Sequence, residues 1–174
     1  MIERLLAHFP ASAACVSTHT ERLFYIYDQE GNQPCRHRTA MLAPTDLTVR
    51  NASAVAVHLI AIDHCLYNSS DSQRCDCALV RGEEIHFVEF KHGTNKNRAS
   101  RLKECIPQLA AAINAFIRAG IIAPHSSVRA VACVGFAEQR PPRGAAIEAR
   151  ILQLNLLVPE VIVELFIDDS TEFN

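Results

Sequence analysis

The sequence of 174 residues contains no tryptophan, and aromatic residues make up only 6% of it. A platform of exposed rings for stacking unpaired bases is therefore not expected. Long apolar runs are also missing. The longest, over residues 151–167, is broken by Gln153, Asn155, Pro159, Glu160 and Glu164, which excludes a membrane-spanning helix there. The first residues, Met1-Ile2-Glu3-Arg4-Leu5-Leu6, carry an acid early and too short an apolar core for an export signal. Charge of one sign is scarce as well: a net charge of −2 argues against a coat of basic residues over the whole surface. Neither an internal repeat nor a low-complexity segment is present. What is there is a chain 49% hydrophobic and of single-domain length, expected to fold around one core and to reside in the cytoplasm.

Seven cysteines, an odd number in a chain without an export signal, read as free buried thiols rather than a disulfide framework. A zinc site from His64, Cys65, Cys75, Cys77 and His86 is the sharper alternative. Against it, Cys75-x-Cys77 is tighter than a zinc knuckle.

The informative stretch is residues 75–91. Two apolar runs, 77–80 and 85–90, flank a polar break that holds the segment's only glycine, Gly82. The pattern predicts a β-hairpin. A loop of Gly82-Glu83, or of residues 81–84, gives one register, in which Asp76 lies opposite Glu89. Opposed residues share a face, and Lys91, two residues beyond Glu89, shares it too. Two carboxylates so close repel each other unless a cation lies between them. A few hard oxygen ligands suit Mg²⁺ or Mn²⁺, and a neighbouring ammonium can orient or deprotonate a water that attacks phosphorus.

Asp76 followed by Glu89-Phe90-Lys91 at the end of an apolar strand resembles the PD-(D/E)XK nuclease superfamily, which has the restriction-endonuclease-like fold. The resemblance covers residues 55–136 and departs at one position, where Cys75 stands in place of a proline. It implies an α/β fold, with a core of helix, β-hairpin, helix and strand in a mixed sheet flanked by helices. It further implies that Asp76, Glu89 and the Phe90 carbonyl bind Mg²⁺ or Mn²⁺, with Lys91 positioning the attacking water. In that family a carboxylate from the preceding helix and a glutamine on the following one often support the site. Asp63 and Gln108 are the matching positions here. The activity implied is a metal-dependent endonuclease, with DNA favoured over RNA. Cutting both strands would call for a homodimer or for recruitment by a larger recognition partner. A reading from another class is a catalytically silent nuclease-like binding, accessory or immunity module, which the small size and mildly acidic balance suit.

Residues 1–50 are expected as an N-terminal extension, 51–136 as the core and 137–174 as a C-terminal extension of a single domain. Apolar spacing predicts helices over 1–9, over 46–68 with a stripe of Val55, Leu59, Ile62 and Leu66, and from Ser100 to Gly120. Pro107 should kink that last helix or mark its start. Strands are expected over 21–27, around 35–42 and over 128–136, then a helix over 145–157 and a strand over 161–167. Between Lys91 and Lys103 stand Lys91, Lys96, Arg98, Arg101 and Lys103 without an acid, and Lys96, Arg98 and Arg101 are candidate contacts to nucleic acid. The plainer reading of that run is a solvated helix face.

Overall fold

Strands dominate because β-branched and aromatic residues cluster in short runs between polar breaks. The computed structural model describes residues 1–29, 32–43, 46–67, 74–91, 98–134 and 145–174. Helix α1 (Ile2–His8) and a 3₁₀ helix (Pro10–Cys15) lead into β1 (Val16–His19), β2 (Leu23–Tyr27) and β3 (Arg36–Arg38). Strands β4 (Leu47–Asn51) and β5 (Val57–Ala61) follow, then a tight turn (Ile62–Leu66) and the hairpin β6 (Cys77–Arg81) and β7 (Glu84–Phe90). The chain ends with α2 (Arg98–Arg118), β8 (Ser127–Cys133), α3 (Ala145–Leu157), β9 (Ile162–Phe166) and β10 (Ser170–Phe173).

The expected mixed α/β class holds. A six-stranded sheet in the order β1-β5-β6-β7-β8-β9 is antiparallel up to β7 and parallel beyond it. Helices α2 and α3 make the two parallel crossovers, as parallel neighbours require. Side chains alternate along β7. Ile85 and Phe87 enter the core beneath the helices, where Phe87 meets Phe116 edge-on at 5.2 Å, while Val88 and Phe90 enter a second core. That second core lies against a four-stranded sheet in the order β10-β4-β2-β3. Burial of β7 on both faces explains its nearly continuous apolar sequence. At the outer edge of the large sheet, the Asn155 amide both donates to and accepts from the Val163 main chain at 3.3 Å. It stands in for a neighbouring strand there.

The helix expected over residues 46–68 is not formed, so in the core order a strand, not a helix, precedes the hairpin. The reason is a period of two. Leu47, Val49 and Asn51 are buried in alternation with Thr48 and Arg50, and residues 57–61 form a strand buried on both faces. Val55, assigned to a helical stripe, is 52% exposed. Asp46, where that helix was expected to start, is a buried carboxylate paired with Arg38. The cysteines also depart from expectation. Cys15 and Cys65 form a disulfide across 50 residues, and Cys35, Cys75, Cys77, Cys105 and Cys133 are the free buried thiols. Helix α2 runs through Pro107, which has no N–H to give the Lys103 carbonyl. Among the described residues no helix is long and apolar enough to cross a membrane.

Candidate active site

The site is set by the hairpin register. Gly82 takes φ +60°, the left-handed conformation that a two-residue turn demands, and Arg81 pairs with Glu84. Pairing then runs to Cys77 opposite Val88, the expected register, whose next step would set Asp76 opposite Glu89. Beyond that point main-chain pairing stops and side-chain chemistry takes over. The Phe90 N–H is met by Asp76 Oδ2 at 2.6 Å instead of by a carbonyl of β6. The Asp76 carbonyl accepts from the main-chain N–H of Ile62 at 2.9 Å and of Asp63 at 3.2 Å. Asp76 is therefore held from both neighbouring strands.

Glu89 is fully buried on the face covered by α2. Lys91 Nζ lies 2.6 Å from its Oε1 as an ion pair. Apart from Lys91, neither Glu89 oxygen has a hydrogen-bond donor among the described residues. Burial pushes the Glu89 carboxyl well above its usual range, and repulsion from Asp76 adds to the shift. Burial likewise lifts Asp76 to about 7, with repulsion from Asp28 and Asp63 added, while the Phe90 N–H and Lys91 pull the other way. For Lys91, burial works against the charge, but attraction to Glu89 and Asp76 outweighs it and raises the ammonium. The two acids are thus poised to accept positive charge.

Lys91 opens onto a groove of about 430 Å³ lined also by Ser100, Lys103, Glu104, Pro107 and Gln108, five residues from one face of α2. Gln108 Nε2 donates to the Arg74 carbonyl at 3.4 Å and so braces the segment that leads to Asp76. Asp63 reaches Asp76 from the end of β5 rather than from a helix, and its carboxylate accepts from the His64 N–H at 3.0 Å. Arg101 does not project into solvent as the basic run suggested. It is 7% exposed, because it stands one turn before Cys105 beside the stripe that α2 buries. Lys96 and the side chain of Arg98 lie outside the described residues.

One contributor was missed. Asp28, at the end of β2 in the small sheet, acts electrostatically on both Asp76 and Glu89. In the sequence it is only the first residue of a turn-prone stretch, and nothing local ties it to the hairpin. The zinc alternative does not assemble. Cys65 is in the disulfide, and His86 is held by Thr171 and Glu84. Among the described residues no three His, Cys, Asp or Glu side chains are grouped to hold a metal ion. A cation at this site would rest on Asp76, Glu89 and a main-chain oxygen, with water in its remaining positions, which is the habit of Mg²⁺. Glu89 Oε2, without a partner among the described residues, fits such an ion. No family model, curated protein or solved structure matches this chain.

Proposed function

We propose that this chain is a metal-dependent nuclease of the PD-(D/E)XK type, built on a restriction-endonuclease-like core and cutting phosphodiester bonds of nucleic acid, DNA before RNA. The observation that carries the reading is Glu89: a fully buried carboxylate across the register from Asp76, with no partner among the described residues except a lysine that faces an open groove. A carboxylate buried so deeply is costly to keep ionised even beside an ammonium, and groups perturbed in this way cluster where a cation or a reaction requires them. Hairpin, helix and parallel strand follow in the order such a core needs, and a strand stands where its first helix was expected.

Asp76, Glu89 and the Phe90 carbonyl would hold Mg²⁺ or Mn²⁺, which when bound supplies Lewis acidity at the phosphodiester and lowers the pKa of water. Lys91 orients the attacking water and offsets charge gathering on the phosphoryl oxygens. Glu89 keeps the Lys91 ammonium at the groove floor, and Gln108 keeps the Asp76 segment in place. Asp63 and Asp28 add negative potential around Asp76, which favours a divalent ion.

The test is metal-dependent cleavage. The parent with Mn²⁺ should cut at least one form in a panel of single- and double-stranded DNA and RNA, and Lys91→Met and Asp76→Ala should not. A well-folded parent inert on the whole panel sinks the enzyme and leaves the silent binding module. That second reading has its own support: without metal, Asp76 is half protonated near pH 7.

A further inference from the structure

The basic run after Lys91 was expected to meet nucleic acid through Lys96, Arg98 and Arg101, but the fold redistributes that role. Helix periodicity sends Arg101 toward the buried side of α2 and leaves Lys103 exposed two residues later. Lys103 lines the groove that contains Lys91. Among the described residues no carboxylate pairs with it. Among the described lining residues there is also one acid, Glu104, whose Oε1 accepts from Ser100 Oγ at 3.4 Å. The Gln108 amide is occupied by the Arg74 carbonyl. No aromatic ring is among the described residues that line the groove, so a base has none of them to stack on. Among those residues the two ammonium groups, Lys91 and Lys103, outnumber the Glu104 carboxylate along a polar channel, which suits phosphates rather than base edges.

The geometry points to Lys103 as the residue that positions the substrate, gripping a phosphate of one strand next to the scissile one and reading no base. This inference rests on the nuclease reading, because it places the reacting phosphate at Lys91. It adds a substrate class, a polynucleotide strand held by its backbone without sequence preference over the groove. Lys103 is a positioning residue, and it acts on binding rather than on the reacting atoms.

The experiment uses the full chain carrying Lys91→Met, which retains both carboxylates, in Mn²⁺ with a fluorescein-labelled DNA oligonucleotide. Anisotropy is followed against salt. Adding Lys103→Ala should weaken binding about tenfold at low salt and reduce the slope of log affinity against log salt by about one. Lys103→Arg should restore both, as a merely structural lysine would not require. An oligonucleotide with abasic sites should bind within about twofold of the normal one if only backbone is held. An unchanged salt slope in Lys103→Ala, or a tenfold loss with the abasic oligonucleotide, overturns the inference. Absence of any oligonucleotide binding overturns it as well. Failure of the nuclease reading is seen separately, as a parent chain that does not cleave.

Discussion

His86 and Glu89 stand three residues apart on one strand, both fully buried, and they differ in every other respect. His86 has a complete set of partners. Its Nδ1 meets Thr171 Oγ1 at 2.8 Å, its Nε2 meets Glu84 Oε1 at 3.0 Å, and its ring stacks on Phe173 at 4.1 Å. Glu89 has the Lys91 ammonium beside Oε1 and no other hydrogen-bond partner among the described residues. A buried polar group that is fully satisfied holds a structure together, and one left wanting indicates something the fold awaits. Burial alone does not separate the two, and the partner count does.

The largest effect expected of that difference is on cleavage. Lys91→Met should lower the rate by about 100- to 1,000-fold, the cost of losing one stabilising donor at a developing charge. Circular dichroism should show the fold unchanged. His86→Ala should leave the rate per folded molecule as it was, since the ring faces the second core. A Lys91→Met variant that cuts like the parent, or a His86→Ala variant that is folded but inert, breaks the comparison.

Next comes stability, where the two positions should move in opposite directions. His86→Ala truncates a ring packed on Phe173 and strands the Thr171 hydroxyl, at about 3 kcal/mol. Glu89→Leu removes a charge from an apolar setting and should be neutral or stabilising by about 1–4 kcal/mol. Lys91, whose side chain is 27% exposed, can turn to the groove and so need not be stranded. Urea unfolding of metal-free protein measures both. Loss of several kcal/mol in Glu89→Leu would mean that the carboxylate is a structural partner like His86.

Much of this end of the strand was legible beforehand, for a physical reason. A two-residue turn with Gly82 in the left-handed region leaves the hairpin one register, so Asp76 and Glu89 could be paired from spacing alone. Helix α3 matched its expected bounds, and β8 and β9 came within a few residues of theirs. Residues 46–68 were misread because Val55, Leu59, Ile62 and Leu66 satisfy a helical period, while the alternation of Leu47, Val49 and Asn51 that decides the matter covers only five residues. Asp28 and the Cys15–Cys65 bond were beyond reach. Each depends on how segments far apart in the chain pack, which no local pattern encodes.

The pH dependence of stability should separate the two ends again, by a smaller amount. Burial holds His86 neutral down to about 4, so the folded state binds fewer protons than the unfolded one below the ordinary histidine value of 6.5. Its contribution is present above 6.5 and is lost as pH falls toward 4. Asp76 works the other way. Its carboxyl keeps a proton up to about 7, while the unfolded chain releases it near 3.8, so stability falls as pH rises through that window. Because Asp76 is partly exposed, solvent screening holds the drop to about 1–2 kcal/mol. Urea midpoints of metal-free Asp76→Asn should fall less between pH 4 and 7 than those of the parent, the remaining fall coming from Glu89, whose carboxyl burial also raises. Parallel profiles would remove the electrostatic strain from the argument.

The smallest effect is the one that asks directly what Glu89 awaits. A ligand that binds only the folded state stabilises it by RT ln(1 + [L]/Kd), about 1.4 kcal/mol with the ion ninefold above its Kd. For a chain of this size that is a rise of a few degrees in Tm. Mn²⁺ at pH 8 should produce it in the parent and in His86→Ala, and not in Glu89→Leu. The same ion should flatten the parent's stability profile between pH 4 and 7, because a bound cation takes over the charge compensation that the Asp76 proton supplies when metal is absent. Equal shifts in the parent and in Glu89→Leu would place the ion elsewhere on the chain. The empty valence of Glu89 would then be a cost of folding with no chemistry attached to it.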